Sequence, residues 1–351
     1  MQKEPDVLIQ LITHLVKSPA TCEEICHLLS MKDEHVKILL KNLETAHILT
    51  KSRNIYALSQ NDFELSDSVT FMNAPPGTWN ELSEGVKAVL GIPYDGGKSS
   101  RSGAQFGPAA IRQVSEILCE TSCESLLDLG TLPVVQERLF ETRVLIYKSI
   151  KEIITRGGIP VSLGGDHSVA YPCIRAVSEV KSCGYLFFDA HLDIHPASME
   201  WFVGPHGTVL TRCFSLEGVS AERMGIIGVR KIPPELKTRL ESEGIALYDM
   251  EEIRTQGIEA TIQKAVSHIE KSGNTVYVSV DLDAVDPVYA PGIGSPAPGG
   301  MTPAEISTCC RMITQNLELV GMDMVELFPP HDVGALSALI AATIVKTLLC
   351  V

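Results

Sequence analysis

Two short runs of acids and imidazoles carry the most distinctive chemistry in this sequence. Asp189, His191 and Asp193 alternate along one stretch, and Asp281 and Asp283 alternate along another. In extended backbone, residues two apart point the same way, so each run presents a row of donors on one face. His167, in Gly164-Gly165-Asp166-His167-Ser168, is a sixth candidate. Carboxylates crowded at buried strand ends repel one another and drift towards protonation unless cations neutralise them. Two divalent metals would do so. Oxygen and imidazole donors without thiolate point to Mn(II), with Ni(II), Co(II), Fe(II) and Zn(II) as alternatives and Mg or Ca disfavoured. One Asp or His at a strand end is equally well explained as a cap or a satisfied polar group. Six together are not, because uncompensated buried charge costs too much.

Such rows need strands to carry them. Strands are predicted at 87–92, 160–163, 184–188, 224–229, 245–248, 275–280 and 321–325, alternating with helices at 109–118, 140–155, 169–180, 258–270 and 303–316. This alternation predicts an α/β domain with a mostly parallel sheet and helices on both faces. Ligands bind such sheets beyond the carboxyl ends of the strands, which is where the six donors fall.

The remainder of the chain bounds the reading. At 351 residues it can hold one large α/β domain and a smaller module. Its apolar runs are too short for a membrane span, and its first residues lack a secretory signal pattern, so a cytoplasmic protein without membrane contact is expected. Ten cysteines without a CxxC pair are read as reduced, mostly buried thiols. A formal net charge of −14 argues against a phosphate-tracking surface and suits a small cationic substrate.

Residues 1–70 have a rhythm of their own. Helical patterns at 7–16, 23–29 and about 33–45 precede a hairpin pattern at 48–58, an order similar to a winged-helix module. Seven Lys or Arg stand against ten Asp or Glu there. Packing or oligomer contacts are therefore expected ahead of nucleic-acid binding. The stretch 71–85, with Asn73-Ala-Pro-Pro-Gly-Thr78, reads as a linker to a catalytic domain at 86–351.

Gly-Gly-Asp-His-Ser at 164–168, Asp-Ala-His-Leu-Asp at 189–193 and Ser-Val-Asp-Leu-Asp-Ala-Val-Asp-Pro at 279–287 resemble, in order, the three signatures of the ureohydrolase family of arginases, agmatinases and relatives. The resemblance implies a three-layer α/β/α domain and two Mn(II) per subunit. His167, Asp189, Asp193 and Asp281 would ligate one ion and Asp189, His191, Asp281 and Asp283 the other, with Asp189 and Asp281 bridging. It also implies a hydroxide between the metals that attacks a guanidino carbon, releasing urea. His206 resembles the family's proton-transfer histidine and Glu326 its guanidinium-gripping glutamate, so the implied catalytic set is His206, Glu326 and Asp193. A trimer or hexamer is implied as well.

Segments 91–96, 103–112 and 290–300 are similar to agmatinases more than to arginases. After the Asp-Ala-His-Leu-Asp motif, 194–203 departs from the arginase pattern, so arginine is disfavoured and His195 joins Glu326 and His206 as a substrate contact. Agmatine is the expected substrate, ahead of aminopropylagmatine, guanidino acids, guanidine, arginine and formimino compounds. The rival from another class is a DNA-binding or scaffold protein with a retired enzyme domain. Asp166 and Asp286 are expected to support the ligands or form turns, and Arg112 to pair structurally.

Overall fold

The computed structural model describes residues 20–29, 32–34, 36–37, 40–41, 49–52, 55–58, 69–97, 101–118, 123, 125–194, 208–271 and 273–350. Three short strands, β1 (Ala20–Thr21), β2 (Leu49–Ser52) and β3 (Ile55–Leu58), form an antiparallel sheet in the order β1-β3-β2, beside helix α1 (Cys22–Leu29). The predicted hairpin and second helix are thus present. The predicted first helix lies outside the described residues, as does much of the third, and what is described does not make up a winged helix.

Eight further strands build the main sheet: β4 (Lys87–Ile92), β5 (Leu126–Thr131), β6 (Ile159–Gly164), β7 (Gly184–Phe188), β8 (Met224–Ile227), β9 (Ala246–Tyr248), β10 (Thr275–Asp281) and β11 (Glu318–Val325). They are ordered β5-β4-β6-β11-β10-β7-β8-β9 and every neighbouring pair is parallel. After β6 the chain leaves a gap two strands wide, runs through β7, β8 and β9 to the far edge, and returns to fill the gap with β10 and β11. The four strands β6, β11, β10 and β7 are therefore neighbours, at the kind of topological switch where ligands bind.

Side chains of this sheet alternate between two cores. Leu186 and Phe188 of β7, with Val276, Val278 and Val280 of β10, face one cluster, while Tyr185, Phe187 and Tyr277 face the other. Helices α2 (Gly107–Ser115), α7 (Met250–Gln256), α8 (Ile258–Glu270), α9 (Pro303–Asn316) and α10 (Leu336–Leu349) supply the first cluster. Helices α3 (Leu139–Thr155), α4 (Ala170–Ser178), α5 (Val209–Cys213) and α6 (Pro234–Ser242) supply the second. The result is three layers, α/β/α. Helix α9 starts where its sequence dictates. Pro303 needs no N–H bond there, and Thr302 and Glu305 form a reciprocal capping box.

The edge strand β5 was absent from the sequence expectation. Its Asp128 accepts both Nε and Nη2 of Arg112 at 2.9 Å, a buried bidentate pair that confirms the structural role expected of Arg112. Removing one partner of such a pair costs about 3–5 kcal/mol. The same carboxylate accepts Phe71 N–H at 2.7 Å, and the backbone of Pro75 and Gly77 bonds along β5. The stretch read as a linker thus lies against the sheet edge. Among the described residues no helix is long and apolar enough to cross a membrane.

Candidate metal centre and substrate cleft

Register sets the floor of the site. Val280 of β10 pairs with Phe188 of β7 and Met324 of β11, and Met324 pairs with Leu163 of β6. The next residues along, Asp189 and Asp281, therefore emerge level with each other, with Glu326 just beyond β11. At the end of β6 the chain turns sharply, because a Cβ on Gly165 would fall 1.8 Å from the Tyr94 carbonyl oxygen. That carbonyl accepts Asp166 N–H at 2.8 Å. Asp166 then caps the turn carrying His167, accepting Ser168 N–H at 2.9 Å and Gly97 N–H at 2.7 Å. It forms the turn that carries His167, as expected.

His167 is surrounded by carboxylates. Its Nδ1 lies 3.1 Å from Asp193 Oδ2, 3.3 Å from Asp281 Oδ2 and 3.4 Å from Asp189 Oδ2. The side chain is only 3% exposed, yet neither ring nitrogen has a hydrogen-bond partner among the described residues. The opposite side is more open. His191, 45% exposed, places Nδ1 2.9 Å from Asp283 Oδ2 and 3.7 Å from Asp189 Oδ1. Asp189 thus turns one oxygen to each histidine. Backbone amides aim the remaining oxygens: His191 N–H reaches Asp189 Oδ1 at 2.6 Å, Ala190 N–H reaches Asp283 Oδ1 at 2.9 Å, and Asp283 N–H reaches Asp281 Oδ1 at 2.8 Å.

This arrangement fits metal. With metal–ligand bonds of about 2.0–2.2 Å, adjacent donors of an octahedral or tetrahedral shell lie about 3.0–3.5 Å apart. The spacing around His167 Nδ1 falls in that range, and a buried imidazole without hydrogen bonds otherwise costs free energy. Two donor triplets converge, His167 with Asp189 and Asp281, and Asp189 with His191 and Asp283.

The electrostatics agree. Burial, followed by the charges of Asp283, Asp281 and Asp193, holds the Asp189 carboxyl well above its usual range. Burial and then Asp283 push Asp281 up to about 7. Burial also works against ionisation of Asp283, but its hydrogen bond with His191 prevails and its pKa is lowered. That hydrogen bond raises His191 to about 9, against its partial burial. For His167 burial is outweighed by Asp193 and Asp281, and its pKa is raised. Without cations this floor keeps protons that cations would displace.

Glu326 stands at the end of β11 in left-handed backbone, φ 63°, and Asp193 is also left-handed at φ 46°. Such conformations in non-glycine residues persist where surrounding structure imposes them, and they cluster at functional sites. Here His167 N–H donates to Glu326 Oε1 at 2.7 Å, and Glu326 N–H donates to the Gly165 carbonyl at 2.9 Å. The loop over it carries Gly294, where a Cβ would lie 2.5 Å from Glu326 Oε2. Burial, then the charges of Asp281 and Asp166, raise Glu326 well above its usual range.

A cleft of about 630 Å³ opens above these groups, lined by His191, Asp193, Asp281, Asp283 and Glu326 below and by Arg230, Lys231, Pro233, Ser295, Ala297 and Pro298 towards the mouth. Arg230 and Lys231 went unnoticed in the sequence. They follow β8, so the strand-end rule that found the floor could have found them. Arg230 donates to the carbonyls of Gly228, Asp283 and Ala297 and thereby braces the loop after β10. Asp286 forms the turn expected of it, accepting the amides of Val288, Gly299 and Gly300. His195 and His206 lie outside the described residues.

Residues 87–350 match the Arginase family. The chain belongs to this family. It is 34% identical over 293 residues to a guanidinopropionase of Pseudomonas aeruginosa, covering 80% of this chain and 90% of that one. It is 31% identical over 309 residues to a mitochondrial agmatinase of Gallus gallus, covering 82% and 90%. The solved proclavaminate amidino hydrolase of Streptomyces clavuligerus superposes with a TM-score of 0.73 at 28% identity, over 81% of this chain and 96% of that one. This arginase-family chain is accordingly a ureohydrolase acting on guanidino compounds, and its two convergent donor triplets support a binuclear metal site.

Proposed function

We propose that the chain hydrolyses a small guanidino carboxylic acid to urea and the corresponding amine, with agmatine as the second candidate. The observation that carries this choice is the charge of the cleft wall. Among the described residues, the lining carboxylates Asp193, Asp281, Asp283 and Glu326 all sit at the floor, whereas Lys231 stands exposed at the mouth beside Arg230. A tail ending in a carboxylate meets attraction there and an ammonium tail meets repulsion. The names of the guanidinopropionase and agmatinase relatives cover both kinds of tail.

His167, Asp189, Asp193 and Asp281 would hold one metal, and Asp189, Asp281, Asp283 and His191 the other; Mn(II) fits this oxygen-rich set. When bound, the cations neutralise the floor and bring the pKa of water into the working range. Glu326, its Oε1 fixed by the His167 amide, pairs with the planar guanidinium and sets the carbon above the floor. A water oxygen bonds to that carbon and the carbon–nitrogen bond to the tail breaks. The departing nitrogen takes a proton, a role assigned to His206, and leaves as the amine.

The test is urea release by Mn(II)-loaded or Ni(II)-loaded protein from a panel of 3-guanidinopropionate, 4-guanidinobutyrate, agmatine, arginine and guanidine, with formamide release from a formimino compound read beside it. Faster turnover of a guanidino acid is expected. A higher kcat/KM for agmatine would overturn the tail assignment, and no urea from any member would overturn the proposal as a whole.

A further inference from the structure

We propose that Cys22, Cys26 and Asp33 form a second, chemically different metal site, a thiolate-carboxylate site for a zinc-type divalent cation. Cys22 and Cys26 are four apart on α1, so their sulfurs share one face of the helix. Asp33 brings a third donor from the next turn of chain. Its Oδ1 lies 3.7 Å from Cys22 Sγ and 3.8 Å from Cys26 Sγ, and the three donor atoms all fall within 4.8 Å of one another. Zinc–sulfur and zinc–oxygen bonds of about 2.3 and 2.0–2.2 Å give a tetrahedron with sulfur–oxygen edges of about 3.5 Å. The observed spacing needs only a small contraction to match it.

The supports around these donors are already arranged. Thr21 and Glu24 cap the start of α1 reciprocally, Thr21 N–H to Glu24 Oε2 at 2.7 Å and Glu24 N–H to Thr21 Oγ1 at 3.3 Å, which fixes where Cys22 emerges. Lys37 holds the other oxygen of Asp33, Oδ2, at 2.5 Å. That leaves Oδ1 turned to the two sulfurs, the outer-shell orientation that ligating carboxylates usually have. Both cysteines are half-buried and Asp33 is exposed, so solvent completes the fourth position. The soft sulfur pair selects Zn(II) or Co(II), in contrast to the oxygen and imidazole floor. Binding releases the thiol protons and ties α1 to the chain that follows it.

The decisive experiment titrates the reduced, metal-stripped full-length protein with Co(II) and reads the near-ultraviolet thiolate-to-cobalt charge-transfer band. The floor has no sulfur donor, so it cannot contribute to that band. One band is expected, its plateau amplitude that of a single thiolate-bound cobalt per chain whatever further cobalt the floor takes up, and Zn(II) should displace it. Cys22→Ser and Cys26→Ser should each abolish it, and Asp33→Asn should weaken cobalt affinity about tenfold or more. Absence of the band in the wild-type protein, or its persistence in both serine variants, would overturn the site. Unchanged affinity in Asp33→Asn, an exposed and nearly isosteric change that the fold should tolerate, would overturn the carboxylate's part in it and leave only a thiol–carboxylate hydrogen bond.

Discussion

The two halves of the catalytic floor have similar ligands and different surroundings. His167 is enclosed and faces three carboxylates at 3.1–3.4 Å, whereas His191 is nearly half exposed and bonded mainly to Asp283. Without a cation the first half is held by one imidazole facing three carboxylates, and the second mainly by the His191–Asp283 pair. A cation at the enclosed half is therefore expected to be held more tightly than one at the open half.

The shared ligand is where that contrast can be broken most completely. Asp189 turns Oδ2 to His167 and Oδ1 to His191, so Asp189→Asn should release both metals and lower kcat/KM by at least about a thousandfold. Metal analysis of the purified variant checks this. Two equivalents of retained metal would show that the halves are held independently.

Separate removal of the histidines sharpens the comparison. His191→Ala should retain one equivalent of metal and lose affinity for the second by about a hundredfold. His167→Ala should lose metal from the enclosed half and lower the melting temperature of the loaded protein more than His191→Ala does, because three facing carboxylates lose their partner. Equal stoichiometry and equal melting temperatures in the two variants would erase the distinction.

Acidity separates the metal-free from the loaded protein. Asp281 titrates at about 7 in the folded chain against an ordinary 3.8, and His191 at about 9 against 6.5. Both folded values are raised, so each contributes stability that is complete below its ordinary pKa and lost as pH rises through its folded one. Asp283 is lowered, and its contribution is lost only as pH falls below 3.8, outside this window. The metal-free protein should therefore melt at a lower temperature at pH 9 than at pH 5. Added Mn(II) should remove most of that difference, as differential scanning calorimetry at the two pH values would show.

What the sequence made legible follows the same division between regular and irregular backbone. The floor could be read because strands have period two and ligands gather at their carboxyl ends, which located His167, Asp189, His191, Asp193, Asp281 and Asp283. Strand β5 escaped because Asp128 and Gly130 interrupt its apolar run, and Asp128 proved to be the buried partner of Arg112. Glu326 was legible as a residue but not as left-handed backbone, which the Gly165 and His167 contacts impose. The segments similar to agmatinases also have a structural role. Arg101 donates to the Ile293 carbonyl at 2.9 Å, and a Cβ on Gly91 would come 2.7 Å from the Arg112 guanidinium. These residues brace loops around the site, so their likeness to agmatinases does not by itself choose the substrate's tail.

If the proposed rim contact reads the substrate's tail, its effect should be the smallest of these. Lys231 is exposed at the cleft mouth, so its pull on a carboxylate is weakened by water and salt. Lys231→Glu should raise KM for guanidino acids about fivefold and lower it for agmatine by a similar factor. It should leave kcat and the two equivalents of floor metal unchanged, since the residue touches neither the donors nor Glu326. Both shifts should shrink as ionic strength rises, because an exposed charge acts through a screened field. If KM for the two substrates instead moves in the same direction, Lys231 shapes the cleft without reading the tail, and selection must be sought in other residues.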